Sequence, residues 1–335
     1  MATVDQASPS TVPDAPSETE DTRAMVTRYA RKGVPYLLLA ALVIYFSAKS
    51  DQFLTKDNIF SIMRSSSTLM VISAGATLII VAGSVDLSIG GIAALAGTLC
   101  VDQAAKGHTW ALWLAVPVGV ACGLVNGFLV SYLKLPSFLT TLGTLFILNG
   151  IALKITAGAS APIDSKALTK LVNDSSLFGI PNITWWAVIG LAIASVIAYR
   201  TAFGRHVYAI GGNERVARLA GLPVDRDKLL LFVLSGTFAG VAGLMLIAEG
   251  GGSSPGMGDS FLLNAIAAIV MGGTALNGGS GGPARTILGV LTLAVVTNGM
   301  TLTQVDPNYQ SVVFGVIVLF AVAVTVRRAP GQIVK

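Results

Sequence analysis

Apolar residues in this chain do not alternate with polar ones at the spacing of a half-buried helix or strand. They run together in blocks, approximately residues 34–49, 62–82, 88–102, 110–131, 138–156, 184–200, 229–249, 261–277, 284–302 and 310–326. A hydrocarbon layer about 30 Å thick needs about twenty apolar residues in a helix rising 1.5 Å per residue. The pattern therefore predicts an all-α integral membrane protein of about ten transmembrane helices, the third of them short and flanked by glycine. Only 12% of the 335 residues are charged and 53% are hydrophobic, with a mean hydropathy of +0.73. A soluble domain carries about twice that charge.

The ends of the chain differ from its middle. Residues 1–22, "MATVDQASPSTVPDAPSETEDT", are rich in Ser, Thr, Pro and acid and cannot bury a core. They also lack the order of basic, apolar and cleavage segments of a signal peptide. The expected division is a disordered cytoplasmic tail over 1–33, a transmembrane domain over 34–328, and a short tail over 329–335. With the N-terminus inside, fifteen of the 22 Lys and Arg fall in cytoplasmic segments, which favours both termini in the cytoplasm of a cell inner or plasma membrane. The loop 157–183 then lies outside and is long for a plain connector.

Residues 119–143 and 289–315 share a pattern. Each has a Gly, an Asn-Gly, a Pro nine or ten residues after the Asn, and a further Gly seven or eight beyond. The two segments are the fourth and fifth spans and the ninth and tenth. An odd number of spans separates them, so the copies point opposite ways and describe a candidate inverted 5+5 repeat, an arrangement that places a pathway at its interface. Generic small-residue packing is the alternative.

Three sets of residues bear on chemistry. In "AGSVDLSIGG" (82–91), Asp86 sits between Gly83 and Gly90-Gly91 close to membrane depth, where an ionisable group is costly. It suits either an N-cap for the next helix, bonding N–H groups near Ser88 and Ile89, or a direct contact with a solute. "GGTALNGGSGGPARTILG" (272–289) reads as a tight turn followed by Pro283 in the first turn of a helix, and it has neither the GK[ST] nor the preceding strand of a phosphate-binding loop. Asn126, Asn149, Asn264 and Asn298 lie inside spans, where each serves either a hydroxylated solute or a neighbouring helix. Cys100 and Cys122 lie in apolar runs and read as buried thiols. His108 and His206 stand apart, so no metal site is expected. No spaced nucleophile and base, HExxH, CxxC or Walker motif occurs, so neither catalysis nor a cofactor is expected of this chain.

The most charged run is "GRHVYAIGGNERVARLAGLPVDRDK" (204–228), between two apolar blocks. Residues 213–220 predict a helix of about two turns. Asn213 is the N-cap, Glu214 complements the N-terminus and pairs with Arg218, Gly221 stops the helix and Pro223 prevents its continuation. Val216, Leu219 and Ala220 form a small apolar face. So short a helix needs a surface to dock on, either the lipid headgroups or a cytoplasmic partner.

This run, with "SPGMGDSFLLNAIAAIVMGGTALNGGSGG" (254–282) and "GSVDLSIGG" (83–91), resembles the permease subunits of ATP-binding-cassette importers for simple sugars, the ribose, xylose and galactose permeases above all. The resemblance covers about residues 35–328. It implies a cytoplasmic coupling helix that rests in a groove of an ATPase subunit, carried here by Gly211, Gly212, Asn213, Glu214, Arg215, Ala217, Arg218, Leu219 and Gly221 within the loop 201–228. It also implies a second permease subunit, as a homodimer, a separate ATPase that binds ATP-Mg, and an extracytoplasmic solute-binding protein, with no nucleic acid. The family's GGxDLS pattern falls on Gly83, Asp86, Leu87 and Ser88, with Ser84 in place of the second glycine. Those four and the four asparagines are the candidates for the pathway or its gate. The alternative function is an ion-coupled secondary transporter or channel for a small polar solute, for which Asp86 and Glu249 are the acidic candidates.

Overall fold

The computed structural model describes residues 18–319, apart from 164, 166, 167, 169, 171, 173, 176, 307, 308, 311, 314 and 318, with side chains from Gly33 onward. The chain divides into Met1–Val34, helical from Glu18, and Pro35–Lys335. The helices are α1 (Glu18–Lys49), α2 (Lys56–Val81), α3 (Ile89–Ala105), α4 (Ala115–Ser131), preceded by a 3₁₀ turn at Ala111–Leu114, and α5 (Ser137–Thr156). They continue as α6 (Asn182–Arg200), α7 (Ala202–Gly212), α8 (Glu214–Leu219), α9 (Val224–Gly250), α10 (Asp259–Met271) and α11 (Pro283–Leu302). Two short strands, β1 (Ala161–Pro162) and β2 (Gly252–Ser253), pair antiparallel with Ala161 opposite Ser253.

Among the described residues, six segments are long and apolar enough to cross a membrane: α2, Ala111–Ser131, α5, α6, α9 and α11. Gly33–Lys49, α3 and α10 are apolar but shorter. The chain is thus a multi-pass, all-α membrane protein. Helical positions recur through 309–319. The remainder of the expected span 310–326, the tail 329–335 and residues 1–17 lie outside the described residues.

Several boundaries differ from those drawn on hydropathy. The span expected over 261–277 ends at Met271, because Gly273 takes φ +84° and the helix cannot continue through it. Helices α2 and α9 begin six and five residues before their apolar blocks, at Lys56 and Val224. Backbone hydrogen bonding continues there through charged residues beyond the apolar layer. The first helix likewise begins at Glu18, ahead of the span drawn from 34.

Helix α2 is central, with every residue from Ser66 to Val81 buried. It packs with α3, α9, α10 and α11 around one apolar core that includes Ile72, Ile92, Ile247, Ile269 and Leu293. Helices α5 and α6 lie at the edge and present Phe146, Ile147, Ile189 and Ile193 outward, which suits lipid as solvent.

A close glycine seam joins α4 and α9. Gly119, Gly123 and Gly127 form a stripe on α4 at four-residue spacing. A Cβ on Gly119 would meet the carbonyl of Gly236, one on Gly123 the carbonyl of Phe232, and one on Gly127 the carbonyl of Leu229. Lipid tails are as apolar as side chains, so association inside a bilayer depends on close packing of this kind. A second glycine contact joins Gly90, in the first turn of α3, to Gly258 beside the start of α10.

Gly236→Ala should therefore destabilise the bundle by about 1–3 kcal/mol through overpacking, read as a lower thermal midpoint in detergent. Gly143→Ala and Gly150→Ala, whose added methyl groups meet nothing within 4 Å, should leave the midpoint unchanged.

Candidate functional site

At one end of the bundle the chain leaves α6 and forms α7 and α8 before entering α9. Thr201 caps α7, its hydroxyl accepting from the N–H of Gly204 at 3.0 Å. Asn213 caps α8, its side-chain oxygen accepting from the N–H of Val216 at 3.1 Å, and Gly221 follows at φ +82°, as expected from the sequence. Helix α7 was not expected as a separate element, although Phe203, Val207 and Ile210 repeat at helical spacing.

The short helix has two faces. Ala217 is only 4% exposed and packs with Ile210, Val224 and Leu222. Val216 and Leu219 are 59% and 81% exposed, and Ala220 is exposed beside them. The apolar face read from the sequence thus points away from the bundle, and the helix is anchored by a residue on its other side. Ion pairs add to the anchor. The Arg218 guanidinium donates to both carboxylate oxygens of Asp225, at 2.7 and 3.1 Å, and to Glu214 at 3.2 Å. Lys228 pairs with Glu214, and Lys134 from the α4–α5 turn pairs with Asp225. One turn further back, His206 Nδ1 lies 2.8 Å from Asp227 Oδ2 and ties α7 to α9. Burial opposes ionisation of Glu214, but the Lys228 ammonium and the Arg218 guanidinium outweigh it and hold the carboxyl below its ordinary range.

Helix α7 meets two glycine turns. A Cβ on Gly211 would collide with the carbonyl oxygen of Val81, at the end of α2, and would lie 2.6 Å from the N–H nitrogen of Gly279. Gly279 in turn donates to that Val81 carbonyl at 2.8 Å. The loop 272–282 reaches this position by placing Gly273, Gly278, Gly279, Gly281 and Gly282 at positive φ, and the Tyr208 hydroxyl holds its far side by donating to the Gly281 carbonyl at 2.8 Å. Gly83, at φ +75°, closes the end of α2 and touches Gly278. Position 84 is not at positive φ, which explains why Ser84 is tolerated where the related pattern has glycine.

Three residues beyond Gly83 is Asp86, 5% exposed. One of its carboxyl oxygens accepts from the N–H of Ser88 at 2.9 Å and from the Ser88 hydroxyl, and the other accepts from Ser235 of α9 at 2.8 Å. The amide of Asn126 donates to Ser88 Oγ at 2.8 Å, and its oxygen accepts from Thr144 of α5 at 2.7 Å. Leu87 N–H donates to Thr141 Oγ1 at 2.9 Å. A buried polar chain thus joins the 82–88 turn to α4, α5 and α9. Ser235 lies eleven residues into α9, about 16 Å along its axis, so this chain is set well inside the bundle. Asp86 accepts from the N–H of Ser88, but Ser88 itself stands at the N-cap of α3, with no side-chain cap bond, so Asp86 ties the turn together without capping the helix as the sequence suggested.

The other asparagines separate from this cluster. Asn298 exchanges two amide hydrogen bonds with Asn58, at 2.8 and 3.0 Å, which join α11 to α2. Asn149 donates to Asp259 at 2.9 Å between α5 and α10. Asn264 is half-buried on α10. Sequence reading missed Ser235, Thr141 and Thr144, whose hydroxyls complete the buried chain. Their only signal is a polar residue inside an apolar block. Among the described residues no group of three or more His, Cys, Asp or Glu is placed to hold a metal ion.

The sequence matches the family described as "Branched-chain amino acid transport system / permease component" over residues 58–322. It is 34% identical to the ribose import permease protein RbsC of Bacillus subtilis strain 168 over 310 residues, covering 91% of this chain and 96% of that protein. It is 32% identical to RbsC of Escherichia coli K12 over 86% of this chain and 91% of that protein. It is 36% identical to the L-arabinose transport system permease protein AraH of Escherichia coli K12 over 75% and 77%. No solved structure matches the chain significantly.

The ion-pair clamp predicts its own pH response. A depressed Glu214 pKa stabilises the clamp above the ordinary carboxylate value of 4.5, and that contribution is lost as pH falls through the lowered value. Amide exchange in α8 should therefore show constant protection from neutral pH down to about 5, once intrinsic rates are divided out, and weaken only in more acid solution. Exposed pairs contribute about 0.2–1 kcal/mol each and Arg218 makes two, so Arg218→Ala should reduce α8 protection by about two- to thirtyfold and leave α2 protected.

Proposed function

This chain belongs to the branched-chain amino acid transport system / permease component family, and from that premise we propose that it imports a monosaccharide of ribose or xylose type. It is the membrane-spanning permease subunit of an ATP-binding-cassette importer. The support for a sugar is that relatives matching nearly the whole chain are named for ribose, and another for L-arabinose. The observation that carries the mechanism is α8: a two-turn helix clamped to the bundle on one face, with Val216 and Leu219 bare on the other.

A bare apolar face flanked by Arg215 fits the groove of a folded partner, and a cytoplasmic ATPase is the partner we assign to it. The headgroup alternative has less support, because the clamp holds the helix in one orientation, which a partner in a fixed position needs and a fluid surface does not. Both termini and α8 would then be cytoplasmic, in agreement with the distribution of Lys and Arg. The nucleotide cycle would displace α8 and α7. Through Gly211, the displacement reaches the Gly83 turn, and through Asp86 and Ser88 it reaches α4, α5 and α9. The Asp86 chain thus acts as a hinge or gate element behind the pathway. An ion-coupled mechanism through Asp86 is disfavoured, since both its oxygens are already occupied by Ser88 and Ser235.

We assign a second permease copy, most simply an identical one, and an extracytoplasmic binding protein that supplies most of the selectivity. The ten-span inverted repeat has two supports. The turns after α4 and α11 each contain a non-glycine residue at positive φ, Lys134 and Gln304. Gly90 and Gly258 also meet at the starts of two short helices that run in opposite senses in the proposed repeat.

The test is the double variant Val216→Asp and Leu219→Asp in the assembled importer. Sugar uptake and co-purification of the ATPase should both fall by at least about tenfold, equivalent to about 1.4 kcal/mol of docking energy, with normal amounts of folded permease in the membrane. Retained co-purification and uptake, or labelling of 213–220 from outside the cell, would sink this assignment.

A further inference from the structure

Helix α9 runs 27 residues from Val224, beside α8, to Gly250, about 40 Å. Its far end therefore lies on the side of the bundle opposite the clamp. There an open cavity of about 540 Å3 is walled by Ser160, Glu249, Ser253, Ser254 and Met257, among others. Its rim is ordered by the β1–β2 pair, with the Ile163 N–H also donating to the Gly251 carbonyl at 3.0 Å. The 157–183 connection thus supplies one wall of the cavity, which accounts for part of its length.

Three observations make this a built site. Glu249 is exposed, yet its carboxylate is fixed from behind by Thr68 of α2, a fully buried residue whose hydroxyl donates to Oε2. Arg64, one turn earlier on α2, exerts an attractive electrostatic effect on the same carboxylate and so offsets part of its charge. Ser253 in the cavity wall is 2% exposed, and its Oγ has no hydrogen-bond partner. An unmet buried hydroxyl is costly unless a ligand or water supplies the bond.

We infer that this cavity is an outer station for a neutral polyol, with the Glu249 carboxylate accepting hydrogen bonds from neighbouring hydroxyls and Ser253 and Ser254 completing the contact. A carboxylate has two acceptor oxygens and four lone-pair sites, which match a vicinal diol once Thr68 has taken one of them. Arg64 offsets the charge that would otherwise draw a cation. Thr68 is a positioning residue, because it acts through Glu249. The Asp86 chain, with its partners already made, lies further in and is distinct from this site. The inference rests on the reading of the chain as a sugar permease and adds the place where the solute is first held by the membrane subunit.

The test uses the full chain in lipid nanodiscs with Cys100 and Cys122 replaced by Ala and a single reactive thiol introduced by Ser160→Cys, in the cavity wall but outside the proposed contacts. The rate at which a small methanethiosulfonate reagent converts this thiol to a mixed disulfide, with methanesulfinate leaving, is measured with D-ribose, L-arabinose, D-xylose, glycerol, L-leucine or sodium ion added. Occupancy slows labelling by 1 + [L]/Kd, about fivefold at four times Kd. At least one polyol should slow it, and neither leucine nor sodium should. Adding Glu249→Gln or Thr68→Val should reduce or abolish the protection, and Glu249→Asp should retain part of it. The inference is overturned if no polyol protects, if leucine or sodium protects as well, or if protection survives Glu249→Gln. Each readout is independent of transport, so failure of the importer assignment, seen as no sugar uptake by the assembled complex, is distinguishable from failure of this site.

Discussion

At a set of glycines in this protein the backbones of neighbouring elements touch with no side chain between them, and both its assembly and its proposed motion depend on that contact. In water a helix is driven onto its neighbour by burial of apolar area. In a bilayer that force is absent between helices, and packing must come from close approach. The stripe Gly119, Gly123 and Gly127 brings α4 onto α9 in this way. The same device appears at Gly211, where helix α7 rests on the last carbonyl of α2 and on the Gly279 amide. The contact is stiff because no rotatable atoms lie within it. A displacement of α7 therefore has little side chain to absorb it before it reaches the Gly83 turn.

Helix α9 is tied to this end of the bundle at two places. Its first turn holds Asp225 and Asp227, the partners of α8 and α7. Farther along, Ser235 holds Asp86. The clamp and the buried polar chain are thus joined by the same helix as well as by the glycine turns. Polar residues at these depths hold the helices at fixed rotations, because every buried donor that lost its partner would cost about 1–3 kcal/mol. Farther still, α9 carries Glu249 into the outer cavity, so one continuous element spans from the ion pairs of the clamp to the proposed polyol station.

Much of this was readable along the chain where the interaction is local. Asn213, Gly221 and Pro223 delimit α8 within eleven residues, and the structure places the helix at Glu214–Leu219. Asp86 and Ser88 are two residues apart, so their bond was anticipated. The direction of the Val216–Leu219 face was not, because spacing identifies a face without saying what lies opposite it. The apparent span 261–277 was overrun for a related reason. Hydropathy counts glycine with the apolar residues, while the backbone of Gly273 and Gly278 takes a left-handed turn that ends the helix. Helix α7 was overlooked because its short apolar repeat lies inside a charged run.

The sequence by itself determined the solvent, the six long apolar spans found among the described residues, the short capped helix and the family, since each of these rests on composition or on residues within a few positions of one another. Only the tertiary structure decided that Asn126 joins Asp86 through Ser88, that Asn298 pairs with Asn58 instead of facing a solute path, and that Glu249 is backed by Thr68. The physical reason is that membrane helices are apolar on nearly every face. Their pattern carries little information about rotation or relative depth, and those two quantities select which distant polar groups meet.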